Sequence, residues 1–318
     1  MNNRLDLLAR IAWDYFVLNR TQQEIGDSLH MSRMKIQRLL NEAIKEHVVR
    51  ISIKHPYANL LSLEKELIET FGILDAVIVP DEIGSGDNLR SSLAKALVDY
   101  LEIKWLGKIN ILGIGMGKTI SYMPQYVDNL SLETKNYPLK IVSIQGILLP
   151  NASIHSSDTP HLVAQRLGVE FYGIWAPAMA ESVKDAEVIR SQRFVKEAIE
   201  MSDDADLRVA GIGTMSANGY FTNLGYMRTE EFDRLSVKNA VGDIMGYFFD
   251  KDGHIIDDEI NRRVISASIN PGKGTTLGIA GGREKVAAIH ATLRGHLIDI
   301  LVTDEATCKL ILERHRKL

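Results

Sequence analysis

The sequence predicts an α/β protein in two parts, a small all-helical N-terminal domain and a larger, doubly wound, mostly parallel α/β domain. Over the first 50 residues, apolar side chains recur at helical spacing and are separated by short polar breaks. After Pro56, six apolar runs of strand length alternate with amphipathic helical stretches, which is typical of a parallel sheet covered on both faces. We therefore predict domains over residues 1–55 and 56–318.

The composition is that of an ordinary soluble globular protein, with 45% hydrophobic and 25% charged residues. No apolar run approaches the roughly 18 residues of a membrane helix, and the first residues lack the apolar core of a signal peptide. A single cysteine, Cys308, excludes an internal disulfide framework, and we expect it to be a buried small hydrophobe. We expect a cytoplasmic protein that makes no membrane contact.

The charge is divided unevenly along the chain. Residues 1–55 contain nine Lys/Arg and six Asp/Glu, a balance of +3, whereas the remainder contains 28 and 35, a balance of −7. A basic head on an acidic body is expected if only the head meets a polyanion, although a chance fluctuation would give the same balance.

The head begins with two predicted helices. Apolar residues at helical spacing predict the first over residues 5–18. The second begins at Thr21, because Thr21 and Glu24 have the spacing of a capping box, in which a hydroxyl and a carboxylate each satisfy one backbone amide. This helix is predicted to end near Leu29.

A tight turn at His30 leads to a third predicted helix, which Ser32 caps and which covers residues 33–46. Alternation over residues 49–53 then predicts a short strand. Two short helices joined by a tight turn, with a third before them, form a helix-turn-helix arrangement. We predict that its core contains Ile25, Leu29, Met31, Ile36, Leu39 and Leu40.

The polar residues of the third helix suit a role in binding double-stranded DNA. Arginine pairs with guanine and glutamine with adenine, while lysine, serine and arginine bind phosphates. A solvated, charged helix face is the alternative for each single residue. The predicted DNA-binding residues are Thr21, Gln22, Ser32, Arg33, Lys35, Gln37 and Arg38.

The elements of the body are predicted from the alternation of apolar runs with amphipathic helical stretches. Its predicted strands are residues 76–79, 109–112, 141–144, 208–212, 277–280 and 298–302. Its predicted helical stretches are residues 60–71, 88–103, 117–127, 160–168, 184–200, 283–294 and 305–315. Several strands end in glycine, and open α/β sheets bind ligands at the carboxyl ends of their strands.

A glycine-rich turn between Leu112 and Thr119 follows a predicted strand and opens a predicted helix. Such a turn offers backbone amides and a helix N-terminus to an anion, although a tight turn without a ligand is also consistent with it. Nucleotide motifs do not fit, since a Walker A loop needs glycine at position 112 and a dinucleotide motif needs it at position 118. Residues 300–305 are read as a buried strand followed by a capped helix.

Three segments of the head resemble the SorC family of sugar-operon regulators, and they are most similar to its autoinducer-2 operon regulators. These segments are Ala12–Tyr15, Thr21–Ile25 and Ser32–Leu40. One departure is His30, where such turns usually carry glycine. Histidine is among the residues that best tolerate a left-handed backbone.

The resemblance covers nearly the whole chain and is most specific in Val241–Asp250, Gly278–Lys285 and Leu301–Asp304. It implies a sugar-binding domain similar in fold to sugar-phosphate isomerases and glucosamine-phosphate deaminases. It also implies a loop that holds the phosphate of an effector and a carboxylate–ammonium pair that contacts sugar hydroxyls or phosphate. The implied effector-binding residues are Gly115, Met116, Gly117, Lys118, Thr119, Gln145, Gly146, Asp243 and Lys285.

These residue types suit such a ligand, because a carboxylate accepts hydrogen bonds from hydroxyls and an ammonium neutralises phosphate. A capping role is the alternative for Asp243, whereas Lys285 in a first helical turn opposes the helix dipole, which favours a functional reason. Lys118 stands where much of the family has paired threonines, and Gly146 is one glycine where the family often has two. The effector can therefore differ from that of relatives, or lack a phosphate.

The sequence and the resemblance thus predict a DNA-binding transcriptional regulator, a repressor controlled by a sugar phosphate or polyol. A two-fold oligomer is expected to read paired half-sites, and the resemblance implies a tetramer, a dimer of dimers. An isomerase or deaminase with a DNA-binding head is the alternative, with Asp243 and Asp304 as its acid/base candidates. A third hypothesis makes the body only an oligomerisation module. We predict no cofactor and no metal site, since no histidines show convincing ligand spacing.

Overall fold

The computed structural model of the chain describes residues 3–49, 57–81, 86–130, 138–148, 158–216, 226–269 and 273–318. The chain divides into two units, Met1–Ala58 and Asn59–Leu318. Among the described residues, no helix is both long and apolar enough to span a membrane.

The N-terminal unit, which we call the head, contains three helices packed on one core. These are α1 (Asn3–Phe16), α2 (Gln22–Leu29) and α3 (Arg33–Lys45). The three-helix prediction is confirmed, and so is the predicted core, although Leu29 and Met31 lie at its edge. The buried core residues are Leu8, Ile11, Ala12, Ile25, Ile36, Leu39, Leu40 and Ala43.

Local hydrogen bonds set the ends of α2 and α3 as predicted. The Thr21 hydroxyl accepts from the Glu24 amide at 3.2 Å, and the Glu24 carboxylate accepts from the Thr21 amide at 2.7 Å. Ser32 caps α3 by accepting from the Lys35 amide. His30 is left-handed, with φ 51° and ψ 44°, a conformation that histidine tolerates. The strand predicted over residues 49–53 lies almost wholly outside the described residues.

The C-terminal unit, which we call the body, is built on a parallel sheet. Its strands follow the order β1-β9-β8-β5-β2-β3-β4, and each neighbouring pair in that order is parallel. The strands are β1 (Asp75–Val79), β2 (Ile111–Ile114), β3 (Lys140–Ser143), β4 (Glu170–Tyr172), β5 (Leu207–Thr214), β6 (Ala240–Ile244), β7 (Tyr247–Asp250), β8 (Thr275–Ile279) and β9 (Ile300–Asp304).

Helices cover both faces of this sheet, which confirms the doubly wound prediction. The helices of the body are α4 (Tyr57–Phe71), α5 (Asp87–Lys104), α6 (Thr159–Leu167), α7 (Val183–Ser191), α8 (Arg193–Asp203), α9 (Thr229–Val237), α10 (Glu259–Arg262), α11 (Val286–Arg294) and α12 (Glu305–Arg316). Apolar residues of α5 and α6 pack on one face, and those of α4, α11 and α12 pack on the other. Cys308 is buried in the second of these layers, as expected.

Two predicted helical stretches are wrong in detail. In the stretch 117–127 the chain forms short 3-10 helices, Ile120–Gln125 and Val127–Asn129. Pro124 disfavours an α-helix here, because it has no amide hydrogen and its ring clashes with the carbonyl of the preceding turn. Residues 184–200 form two helices, since Gln192 is extended and redirects the chain. The break lets the apolar sides of α7 and α8 pack together around Ile174.

The sequence analysis also missed β4, α9, α10 and an antiparallel hairpin made by β6 and β7. The last residues of β5 extend beyond the parallel sheet and pair with β6, which pairs in turn with β7. Met245 and Gly246 form the turn with φ values of 53° and 86°, the left-handed backbone typical of tight hairpins. This pairing sets Asp243 opposite Gly213.

The carboxylate of Asp304, at the end of β9, accepts hydrogen bonds from the start of α12 and from the turn after β8. It accepts from the Thr307 amide at 2.9 Å and from the Thr307 hydroxyl at 2.6 Å, which caps α12. It also accepts from the Gly282 amide at 2.9 Å, in the turn that leads to Lys285. The predicted buried strand with a capped helix is confirmed, and the carboxylate that was an acid/base candidate acts as a cap.

We expect Asp304→Ala to lower the free energy of unfolding by about 3 kcal/mol, because two buried amides and a hydroxyl lose a charged acceptor. Chemical denaturation measures the change. The matched control is Asp99→Ala, which removes only an exposed carboxylate paired with Lys95 and should stay within about 0.5 kcal/mol of the wild type. Equal effects of the two substitutions would contradict the role assigned to Asp304.

Candidate functional site

The strand order creates a crevice between the carboxyl ends of β2 and β5. From β2 the chain proceeds to β3 and β4 on one side, whereas from β5 it proceeds to β8 and β9 on the other. Such a topological switch point is where open α/β sheets bind their ligands. The glycine-rich turn follows β2 at this point, and the β6–β7 hairpin follows β5.

The glycine-rich turn uses some of its polar groups internally. The Gly115 amide donates to the Val209 carbonyl at 2.8 Å, and the Met116 amide donates to the side-chain oxygen of the buried Gln145 at 3.3 Å. The Met116 side chain is buried in an apolar cluster with Phe248. A 3-10 helix of six residues follows the turn, so the prediction that this turn opens a long helix is wrong, whereas the binding of an anion by its backbone amides stays a prediction.

Gln145 and Gly146 stabilise this turn and the segment beside it. A β-carbon at position 146 would lie 2.6 Å from the Ala176 carbonyl oxygen, so glycine is required for the close approach of the two backbones. Gly117, with φ 144°, Lys118 and Thr119 form the outer part of the turn, where Lys118 is exposed. Contact of these residues with an effector stays a prediction.

Asp243 and Lys285 come together at the other side of the crevice. The Lys285 ammonium donates to the Ile212 carbonyl at 2.8 Å, and the Asp243 carboxylate lies near enough to stabilise its charge. A β-carbon at position 213 would overlap the Asp243 carboxylate, so a side chain there would displace that carboxylate. Gly213 was not predicted, although several strands were noted to end in glycine.

Burial shifts both groups of this pair toward their neutral forms. It raises the pKa of Asp243 to about 6, while Lys285 and a hydrogen bond from the Gly246 amide oppose the rise. Burial also lowers the pKa of Lys285, and Asp243 opposes that change. A carboxyl group and an ammonium held in this way can bind the hydroxyl or phosphate groups of a ligand.

Two further cations lie near Lys285. Arg90 in the first turn of α5 and Lys118 in the glycine-rich turn both lower the pKa of Lys285, so their charges lie within electrostatic reach of it. Arg90 was missed because nothing in its local sequence marks it as a ligand. Within the described part of the chain, no group of three or more His, Cys, Asp or Glu side chains could hold a metal ion.

In the head, α3 presents a polar face that is suited to a groove. The predicted contacts Arg33, Lys35, Gln37 and Arg38 are all exposed, while the buried side of the helix packs into the core. The exposed Met34 lies among them and was not predicted; its apolar side chain suits a thymine methyl group.

The remaining predicted contacts have structural roles as well. Thr21 and Ser32 are occupied as helix caps, and Gln22 at the start of α2 is half-buried. Their backbone positions at helix N-termini still suit phosphate contacts, which stay predictions.

A helix-turn-helix head joined to a doubly wound α/β body defines the class of effector-controlled transcriptional regulators. Residues 55–313 match a family described as "Putative sugar-binding domain". The chain belongs to the SorC family of transcriptional regulators. It is accordingly a regulator of transcription with a sugar-binding domain and not an enzyme.

The chain is similar to named regulators over nearly its full length. It is 30% identical over 313 residues to the erythritol catabolism regulatory protein EryD of Brucella abortus, covering 96% of each chain. It is 31% identical over 315 residues to the transcriptional regulator LsrR of an Enterobacter species, covering 96% of this chain and 93% of that protein.

Among solved structures, the full-length sorbitol operon regulator SorC of Klebsiella pneumoniae is similar, with a TM-score of 0.72 and 25% identity. The match covers 98% of this chain and all of that one.

The raised pKa of Asp243 predicts a pH dependence of stability. Between about pH 4 and pH 6 the folded protein keeps a proton that the unfolded chain has released. The unfolding free energy of the wild type, measured relative to Asp243→Asn, should therefore fall across this interval and level off above it. Urea denaturation at a series of pH values measures the difference, and a difference that rises with pH would contradict the assignment.

Proposed function

We propose that this chain is a cytoplasmic repressor of a carbohydrate-utilisation operon that binds operator DNA through α3 and a phosphorylated sugar or polyol through the crevice in its body. The single observation that carries the proposal is the Asp243–Lys285 pair at the switch point of the sheet. A half-buried ammonium beside a carboxylate suits a ligand that carries both an anion and hydroxyl groups.

Binding of operator DNA is supported by the exposed polar face of α3 and by the positive balance of the first 55 residues. Exposed arginine and lysine side chains supply the salt-dependent part of the affinity, while Gln37 and the arginines can read base edges. One head offers only a small contact area. We therefore propose a homo-oligomer, a dimer of dimers, whose heads bind paired half-sites.

Control by a small molecule follows from a difference in affinity. An effector alters repression only if it binds one conformation or assembly of the regulator more tightly than another. The name of the relative from Brucella abortus links that protein to erythritol catabolism, which supports a polyol or its phosphate as the class of effector for this chain.

Operator binding tests the head. We expect Arg38→Ala to weaken binding about tenfold and to flatten the dependence of log K on log [salt], since fewer counterions are released from the DNA. Titration of a labelled operator at several salt concentrations measures both quantities. Arg38→Lys keeps the charge and should retain the salt dependence while losing the bidentate contact.

The control for this experiment is Arg193→Ala on α8, which removes an exposed arginine of the body that is paired with Glu197. It should leave operator binding unchanged. If Arg38→Ala keeps the affinity and salt dependence of the wild type, the assignment of Arg38 to the operator contact is wrong.

A thermal-shift screen of free sugars, polyols and their phosphates tests the body. A ligand at about 100 times its Kd stabilises the folded state by about 2.7 kcal/mol, which is roughly 5–10 °C for a domain of this size. We expect a hit among the phosphates that is lost in Lys285→Ala and weakened in Asp243→Asn. A compound that binds should also change operator affinity.

The control variant for the screen is Lys309→Ala, an exposed lysine of α12 paired with Glu305, which should respond as the wild type does. A hit confined to an unphosphorylated polyol would keep the regulator and change the class of its effector. No response to any compound would contradict the sensor role and leave the body as an oligomerisation module.

A further inference from the structure

Arg90 lies in the first turn of α5, next to the effector crevice, and in the described structure its ion pair is a local one. It donates to the Asp87 carboxylate at 2.6 Å, within the same helical turn. The Arg90 side chain is 33% exposed, whereas that of Asp87 is 75% exposed. The Arg90 guanidinium is thus partly buried, whereas the Asp87 carboxylate is largely exposed to solvent.

The position of Arg90 relative to the crevice is fixed by the packing of α5. A β-carbon on Gly281, in the turn before Lys285, would lie 2.9 Å from the Cδ1 atom of Leu93, so α5 packs directly on this turn. On its other side α5 contacts the 3-10 helix after the glycine-rich turn, where the Ser91 hydroxyl and the Tyr126 hydroxyl are 2.5 Å apart. The first turn of α5 therefore lies between the turn that contains Gly281 and the segment that follows the glycine-rich turn.

Three cations consequently converge from three separate elements. Arg90 belongs to α5, Lys118 to the glycine-rich turn and Lys285 to the turn after β8, and both Arg90 and Lys118 act electrostatically on Lys285. Like charges repel at short range, so such a cluster costs free energy unless anions offset it. In the described structure the nearby anions are the carboxylates of Asp87, Asp243 and Glu284.

Asp87 occupies the part of this cluster that is nearest to the solvent. Its carboxylate is bound by Arg90 and by the Tyr122 hydroxyl, and the charge of Lys118 also stabilises it. An exposed ion pair of this kind is weak, whereas a phosphate presents more charge and more acceptor oxygens to the same donors. A ligand phosphate can therefore replace Asp87 at small cost.

We propose that Arg90 is the third cation of the effector site and binds the ligand phosphate together with Lys118 and Lys285. In the absence of ligand, the carboxylate of Asp87 accepts from Arg90 and lies within electrostatic reach of Lys118, so that Asp87 is a competing internal anion for these two cations. This inference rests on the proposed function, because it assigns the phosphate of the effector to a particular set of donors.

Inorganic phosphate is the probe, titrated by isothermal calorimetry into the full chain at constant ionic strength. We expect Arg90→Gln to raise the Kd for phosphate about tenfold, as expected for the loss of a charge-assisted contact. Asp87→Asn should lower the Kd by no more than about fivefold, the limit for an exposed pair. Lys95→Gln is the matched control on the same helix, with its own partner Asp99, and should bind as the wild type does.

A double-mutant cycle separates competition from a general change of charge. If Asp87 acts mainly by holding Arg90, then Asp87→Asn should lower the Kd less in the Arg90→Gln background than in the wild type, where only its weaker effect on Lys118 remains. An equal gain in both backgrounds would overturn the role of Asp87 as a competitor. Phosphate affinity that is unchanged in Arg90→Gln, or no phosphate binding to the wild type, would overturn the role of Arg90.

These outcomes are distinct from a failure of the proposed function. A regulator that responds to a free polyol but binds no phosphate would refute this inference and leave the regulatory function intact. Phosphate binding that depends on Arg90, without any compound that alters operator affinity, would support the anion site and refute the regulatory function.

Discussion

A partly buried ammonium group, that of Lys285, constrains the architecture of the body. Removing a cation from bulk water is costly unless hydrogen bonds and an opposite charge compensate it. The Ile212 carbonyl and the Asp243 carboxylate provide this compensation, and each imposes a structural requirement. Strand β5 extends beyond the parallel sheet, a hairpin returns beside it, and residue 213 is glycine, where a side chain would displace the Asp243 carboxylate.

The head obeys a different constraint. Its elements are set by bonds between near neighbours in the sequence, with caps at Thr21 and Ser32, and apolar side chains of all three helices form its core. The charged residues of α3 remain in water, where they cost little and stay available to a polyanion. The body withdraws its paired charges from solvent, whereas the head keeps the basic residues of α3 exposed.

The sequence was sufficient for the features that depend on local patterns. Helical spacing and capping residues predicted the head, and the alternation of apolar runs predicted the doubly wound sheet and most of its strands. The residues of the effector crevice were predicted from the resemblance to a family, and their spacing in the sequence alone does not identify them. Asp243 and Lys285 are 42 residues apart in the sequence, and no local pattern indicates that they meet.

What the sequence did not predict depends on tertiary pairing or on single backbone angles. The β6–β7 hairpin lies on the end of β5, which only the sheet topology reveals. The break at Gln192 involves neither proline nor glycine, so no residue type marks it in the sequence. The 3-10 helix follows from Pro124, but the apolar periodicity around this proline led to the prediction of a longer helix. Arg90 enters the site through the packing of α5, so its sequence context is uninformative.

The pairing of β1 with β9 has a consequence for how the molecule is made. Within the described part of the chain, residues 75–79 pair in the sheet with residues 300–304 alone, and β9 also separates β1 from β8. A growing chain can complete the head early from short-range contacts, but β1 has no partner strand until β9 has left the ribosome. Synthesis therefore completes the head well before the sheet of the body, and a chain shortened before β9 would leave β1 without its partner strand and β8 exposed at the edge of the sheet.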